Sequence, residues 1–222
     1  MEKMTNKAWM VVGLMGGLLA QAGAAPDPAT GTTTSALAQA SAPAPTAGEV
    51  QSLLSSGRQA LSGGKWAEAV ALFEKARKLD PTNGEADFGL SAAFIELGRL
   101  DEALPLLESL RKAVPDNPTV MNNLAWVYVK STDAKIRNPA KAVKLAREAL
   151  LEVPADYSIW NTLAEAYCAD GKYDLALRAA ESALRLNRLA GATNTVAARE
   201  LVAKCRRAGA AATDGKTDDD RP

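Results

Sequence analysis

Apolar and polar residues alternate along most of this chain with the period of a helix, and the helical pattern itself recurs. Ala69, Phe73 and Ala76 stand at positions i, i+4 and i+7 before Pro81. The same spacing returns as Ala103, Leu107 and Leu110 before Pro115, and as Ala142, Ala146 and Ala149 before Pro154. Ala176, Ala180 and Ala183 repeat it a fourth time, with Arg188 where the proline would stand. Apolar residues at this spacing line one face of a helix, so each run predicts a helix such as the one from Trp66 to Leu79. The first two prolines are 34 residues apart and the third follows after 39, the same period with five residues added.

The segments between these helices also match one another. Trp160-Asn161-Thr162-Leu163-Ala164-Glu165-Ala166-Tyr167, followed by Gly171-Lys172-Tyr173, has its counterpart in Met121-Asn122-Asn123-Leu124-Ala125-Trp126-Val127-Tyr128. Weaker copies carry Phe88, Leu90, Phe94 and Gly98 in the second unit, with Asp87 at the aromatic position, and Leu53, Ser56-Gly57 and Ala60 in the first. Small residues at Gly57, Ser91, Ala125 and Ala164 allow two helices to approach closely, and Gly63-Gly64, Gly98 and Gly171 close the first helix of a pair where positive φ is required.

The order Trp, Leu, small residue and Tyr in one helix, then Ala, aromatic, Ala and Pro in the next, resembles the tetratricopeptide repeat family from about Val50 to Leu189. The resemblance implies an all-α fold, a right-handed α-solenoid of four helix pairs at about 50–83, 84–117, 118–156 and 157–190. A C-terminal capping helix over 194–208, with Val196, Leu201, Val202 and Cys205 on or near one side and Asn194 or Thr195 as its N-cap, would bring the total to nine helices. The repeat domain is then 49–208, preceded by an Ala/Pro/Thr-rich linker over 25–48 and followed by an acidic tail over 209–222, both too polar or too small in side chain to bury a core.

The first 24 residues read as an address. Lys3 and Lys7 precede an uncharged stretch whose most apolar part is WMVVGLMGGLLA, and Ala22-Gly23-Ala24 supplies small residues before a cut ahead of Ala25, with a cut ahead of Gly23 as the second choice. The expectation is a signal peptide and a periplasmic or secreted protein. An uncleaved anchor in the inner membrane is the alternative, because the uncharged run from Ala8 to Ala25 approaches the roughly 20 residues of a spanning helix.

Composition narrows the chemistry. Lys plus Arg and Asp plus Glu are both 26, so no global field draws the chain to nucleic acid, and none is expected as a partner. Histidine is absent, which removes the usual general base and the commonest zinc ligand. Cys168 and Cys205 are 37 residues apart without a CxxC, so no metal site or cofactor is expected. They would lie in adjacent layers of the stack, where an oxidising compartment permits a bridge, but helical periodicity does not fix whether their Cα atoms fall within the roughly 4.4–6.8 Å of a disulfide; two unpaired small core residues is the favoured reading and a disulfide the alternative. Glu96, Asp101 and Glu102 fall at turns and solvent faces with no nucleophile beside them, and no catalytic constellation is visible.

The resemblance therefore implies a non-catalytic scaffold or adaptor that holds a peptide or partner protein in a concave groove lined by the first helix of each pair, within a cell-envelope assembly. A regulatory subunit of a separately encoded enzyme is one alternative, and a membrane-anchored assembly factor for a secretion, pilus or cytochrome-maturation system is another. The groove positions are Arg58, Phe88, Ile95, Asn122, Trp126, Val129, Asn161 and Glu165, with Asn123 beside them. Phe88, Ile95, Trp126 and Val129 have no slot in the interhelix pattern, which predicts an exposed apolar patch. The family's carboxylate clamp is not matched, since only Asn123 fits while Leu54, Phe88, Asn122 and Thr119 occupy the positions that should be basic. A second candidate contact is the run Lys130, Lys135, Arg137, Lys141, Lys144 and Arg147, against Asp133 alone, although a solvated face and loop is the simpler reading.

Overall fold

The computed structural model describes residues 47–191 and 196–214. The expected leader and its cleavage site, the linker up to residue 46, the proposed N-caps Asn194 and Thr195, and residues 215–222 lie outside them. Nine helices and no strand are found among the described residues: α1 Ala47–Ser62, α2 Trp66–Leu79, α3 Gly84–Leu97, α4 Leu100–Ala113, α5 Pro118–Lys130, α6 Pro139–Glu152, α7 Tyr157–Ala169, α8 Tyr173–Leu189 and α9 Val196–Asp214. The last helix runs six residues past the boundary expected at 208, into the segment read as tail. No helix among the described residues is long and apolar enough to cross a membrane.

Short polar signals start the helices. The side chains of Asn83, Asn117 and Asp156 accept hydrogen bonds from the backbone N–H groups of Ala86, Val120 and Ser158, capping α3, α5 and α7 two residues after each repeat proline. Asn138 caps α6 by accepting from the Lys141 N–H, with Pro139 in the first turn where its missing donor is not needed.

The turn inside each pair closes on one carbonyl. The N–H of Lys65 donates to the carbonyl of Ala60, that of Arg99 to Phe94 and that of Lys172 to Tyr167, with Gly64, Gly98 and Gly171 supplying φ of +71°, +75° and +73°. In the third pair the corresponding carbonyl of Tyr128 accepts instead from Asn138, 2.9 Å away. The five added residues are thus spent in a loop that returns to the same closing hydrogen bond, and the register of the array is unaffected.

Consecutive helices pack side by side, and first helices also pack on first helices, α1 on α3, α5 on α7 and α7 on α9. The tightest crossing is at Phe73, fully buried on α2. A Cβ built on Gly57 of α1 would lie 2.7 Å from its ring, and one on Gly89 of α3 would lie 2.4 Å away. The ring is therefore held between its own first helix and the next. In the following pairs Leu107 stands at the Phe73 position with Ser91 and Asn123 at the glycine positions, and Ala146 with Ala125 and Thr162, all buried. The volume at the centre falls from Phe to Leu to Ala as its neighbours grow from two glycines to Ser and Asn, then Ala and Thr.

This geometry makes Gly89→Ala destabilising. Alanine would gain about 1 kcal/mol in helix propensity, but the ring cannot retreat because Gly57 closes its other side, and overpacking costs about 1–3 kcal/mol. A lower denaturant midpoint is expected, restored when Phe73→Leu is added. A single substitution as stable as the parent would show that the ring is not clamped.

Candidate partner-binding groove

The expected groove residues separate into two groups. Phe88, Ile95 and Val129 are buried and belong to the continuous core, so the predicted exposed apolar patch does not form from them. The cause is the side-by-side packing of first helices, which draws these positions into the seams between layers. Asn123 is likewise buried. The register that sets Gly89 against Phe73 turns Asn123 toward the preceding helix pair and away from the concave side.

What remains accessible centres on α5 and α7. Trp126 is half-buried, packed against the core on one side. The ammonium of Lys130, one turn along α5, lies 4.6 Å from the centre of an indole ring face, a cation–π contact. Lys130 also reaches α7, where its Nζ is 3.1 Å from Glu165 Oε1. The other oxygen of Glu165 accepts from Lys204 Nζ of α9 at 2.6 Å. One carboxylate thus joins three layers. Burial raises the affinity of Glu165 for its proton, but Lys130 and Lys204 outweigh this and hold its carboxyl below the usual range.

Asn122 and Asn161 occupy equivalent positions on α5 and α7. Asn122 is 2% exposed, and the side-chain oxygens of both residues are buried without a protein hydrogen-bond partner. Asn122, as buried as Asn123, therefore does not line the groove as expected, because the packing of first helices encloses it, and Asn161 alone of the three asparagines is partly accessible. At the N-terminal end, Arg58 of α1 is engaged by Glu85 of α3 in a close ion pair, and Arg77 of α2 reaches Asp87 of α3 at 3.0 Å. Arg58 is therefore a tie between layers.

The basic run does not present six free cations. Lys130 is held by Glu165, Lys144 lies 3.9 Å from Glu148, and Lys141 donates to the Tyr128 hydroxyl, which itself donates to Glu108. Lys135, Arg137 and Arg147 are exposed. Sequence reasoning passed over Lys204 and the second role of Lys130. An acidic residue at Glu165, in the position that Trp126 holds one repeat earlier, was the available signal that α7 needs cations from both sides.

Comparison with known proteins fits this architecture. Two models of the tetratricopeptide repeat match residues 60–126 and 133–191, together more than half of the chain. The chain is 32% identical over 124 residues to tetratricopeptide repeat protein 37 of Xenopus laevis, covering 56% of this chain and 8% of that protein. It is 37% identical over 60 residues to the TPR repeat-containing protein YsoA of Bacillus subtilis (strain 168), covering 27% of this chain and 18% of the relative. It thus spans less than a fifth of the length of either. Among solved structures it resembles TTC0263, a thermophilic TPR protein in Thermus thermophilus, with a TM-score of 0.59, 22% identity and coverage of 77% of this chain and 93% of the other. MamA from Desulfovibrio magneticus RS-1 gives a TM-score of 0.53 at 15% identity, with coverage of 78% and 98%. At these identities the structural likeness concerns the fold alone.

The Glu165 junction yields a pH prediction. Because the folded-state pKa is depressed, its stabilising contribution is present above the unfolded value of about 4.3 and is lost as pH falls through the folded value. The protection factors of the α9 amides, taken against the intrinsic exchange rate at each pH, should fall below about pH 4.3, before those of α2–α6. Glu165→Gln should weaken α9 protection at pH 7, at a cost of about 1.5–3 kcal/mol, and flatten that acid response. An unchanged acid response in the variant would place the sensitive group elsewhere.

Proposed function

The chain belongs to the tetratricopeptide repeat family, and we propose that it is a non-catalytic adaptor that binds an extended peptide or partner segment across α5 and α7, in a cell-envelope assembly. The observation that carries this reading is the half-buried Trp126 on α5, with the partly accessible Asn161 on the neighbouring first helix α7. The indole offers an apolar anchor of the type enriched at binding hot spots. Asn161 can offer its side-chain amide to the partner's backbone, which recognises an extended chain without demanding a particular side chain, while the equivalent Asn122 one repeat earlier is buried. Lys130 and Lys204 against Glu165 leave one surplus positive charge at this end of the groove, which favours a partner bearing a carboxylate nearby.

The placement in the envelope rests on the leader-like sequence of residues 1–24. N-terminal sequencing of the protein from the cell should begin at Ala25 or, as the second choice, Gly23. An intact Met1 or Met4 in a soluble cytoplasmic fraction would reject export.

Binding is tested with a photo-crosslinking amino acid at Asn161, and at Arg147 as an exposed control on α6. The partner should be captured from position 161 and not from 147. With that partner in hand, Trp126→Ala should weaken binding by about 2 kcal/mol or more, about thirtyfold in Kd, while the helical circular dichroism is retained. Leu151→Ala, at a site 82% exposed on α6, should leave the affinity unchanged. Unchanged affinity in a folded Trp126 variant would move the site off this groove and toward Lys135, Arg137 and Arg147.

A further inference from the structure

The contact between α7 and α9 holds the two cysteines of the chain. Cys205 of α9 is 1% exposed and part of the core, and Cys168 of α7 is partly accessible and packs against the same core. The helices are drawn together beside them by the 2.6 Å contact between Lys204, the residue before Cys205, and Glu165, one turn before Cys168. Farther along, a Cβ on Gly209 of α9 would lie 3.3 Å from Tyr173 Cβ of α8, so α9 continues down from the end of α7 onto the start of α8. Both cysteines are free thiols, and they lie on helices that pack against each other and against the same core.

We propose that Cys168 and Cys205 are a reversible dithiol–disulfide site, closed by exchange with a small-molecule disulfide, that fastens the last helix to the repeat array. The accessible Cys168 is the entry point. Its thiolate attacks one sulfur of a disulfide such as oxidised glutathione, forming a mixed disulfide and releasing one glutathione thiolate, which takes up the proton that Cys168 lost. Cys205 then loses its proton and attacks the Cys168 sulfur, and the second glutathione leaves as a thiol. The two protein thiols are oxidised by two electrons and the external disulfide is reduced to two thiols.

Burial, reinforced by the neighbouring Cys168 and Glu165, pushes the Cys205 thiol up to about 12. Burial still opposes the Cys205 thiolate once Cys168 is in the mixed disulfide, so the rate of closure should rise with pH between pH 7 and 9 as the thiolate fraction grows. In an oxidising compartment the bridged form would accumulate, and in a reducing one the dithiol. The site stands on the α7–α9 contact alone and does not depend on where a partner binds.

The experiment uses the full chain, reduced and then incubated with oxidised glutathione under native conditions. Intact mass should show the loss of two hydrogens, and peptide mapping should place the bridge between residues 168 and 205. Cys205→Ser should stop at a glutathione adduct on Cys168, and Cys168→Ser should remain unmodified. Hydrogen exchange of the α9 amides should slow by about tenfold or more on closure. A chain that keeps two free thiols, takes up two glutathiones, bridges only in denaturant or bridges between molecules would overturn the proposal, as would α9 amides that exchange equally fast in both forms.

Discussion

The array depends on one repeated crossing, in which a side chain of each second helix is pinched between its own first helix and the first helix of the next pair. Phe73 between Gly57 and Gly89 is the extreme case, with no room for a methyl group on either side. Because interiors are close-packed and the three residues share a fixed volume, a large centre demands two glycines, and smaller centres admit larger flanks. Leu107 and Ala146, with their buried neighbours, follow the same rule. A single helix pair supplies only one jaw of this clamp. The second jaw belongs to the next pair, which is why such units are stable when stacked.

Stacking also decides what the concave side can offer. Drawing first helices together moves Phe88, Ile95 and Val129 into the core, so that apolar residues without an interhelix slot stabilise the stack instead of waiting for a ligand. The residues left over are the half-buried indole of Trp126, the partly accessible Asn161, and charges that find one another across layers. The accessible remainder of these positions is thereby concentrated on α5 and α7, in the half of the array where the central volumes are smaller.

The period of the prolines, the helix-closing glycines and the Asn and Asp caps are local signals, and each was readable because one residue type meets one backbone requirement. Nine helices and their pairing follow from those signals. Membership of the groove was less readable, because a residue on a first helix that points to the concave side also points toward the neighbouring first helix. How far it is covered depends on the approach of two elements some 35 residues apart, which no local pattern encodes. Phe88 and Trp126 both lie on first helices outside the interhelix pattern, yet one is enclosed and the other half-open. Val196 failed for a related reason: it continues the apolar stripe of α9 but stands 59% exposed, since the stripe is covered only from Ala198 onward, at Leu201 and Cys205.

The ion pairs add a property that packing alone does not have. Lys204 on α9 and Lys130 on α5 share the two oxygens of Glu165, and Lys130 also lies over Trp126. Because Glu165 spends one oxygen on each cation, the carboxylate is fully partnered only while α5, α7 and α9 are all in place, and loss of either neighbouring layer would leave a largely buried charge with one partner fewer. Packing holds each pair to the next through apolar volume, whereas this junction holds three layers through one charge, so its strength depends on pH and salt as the Phe73 crossing does not.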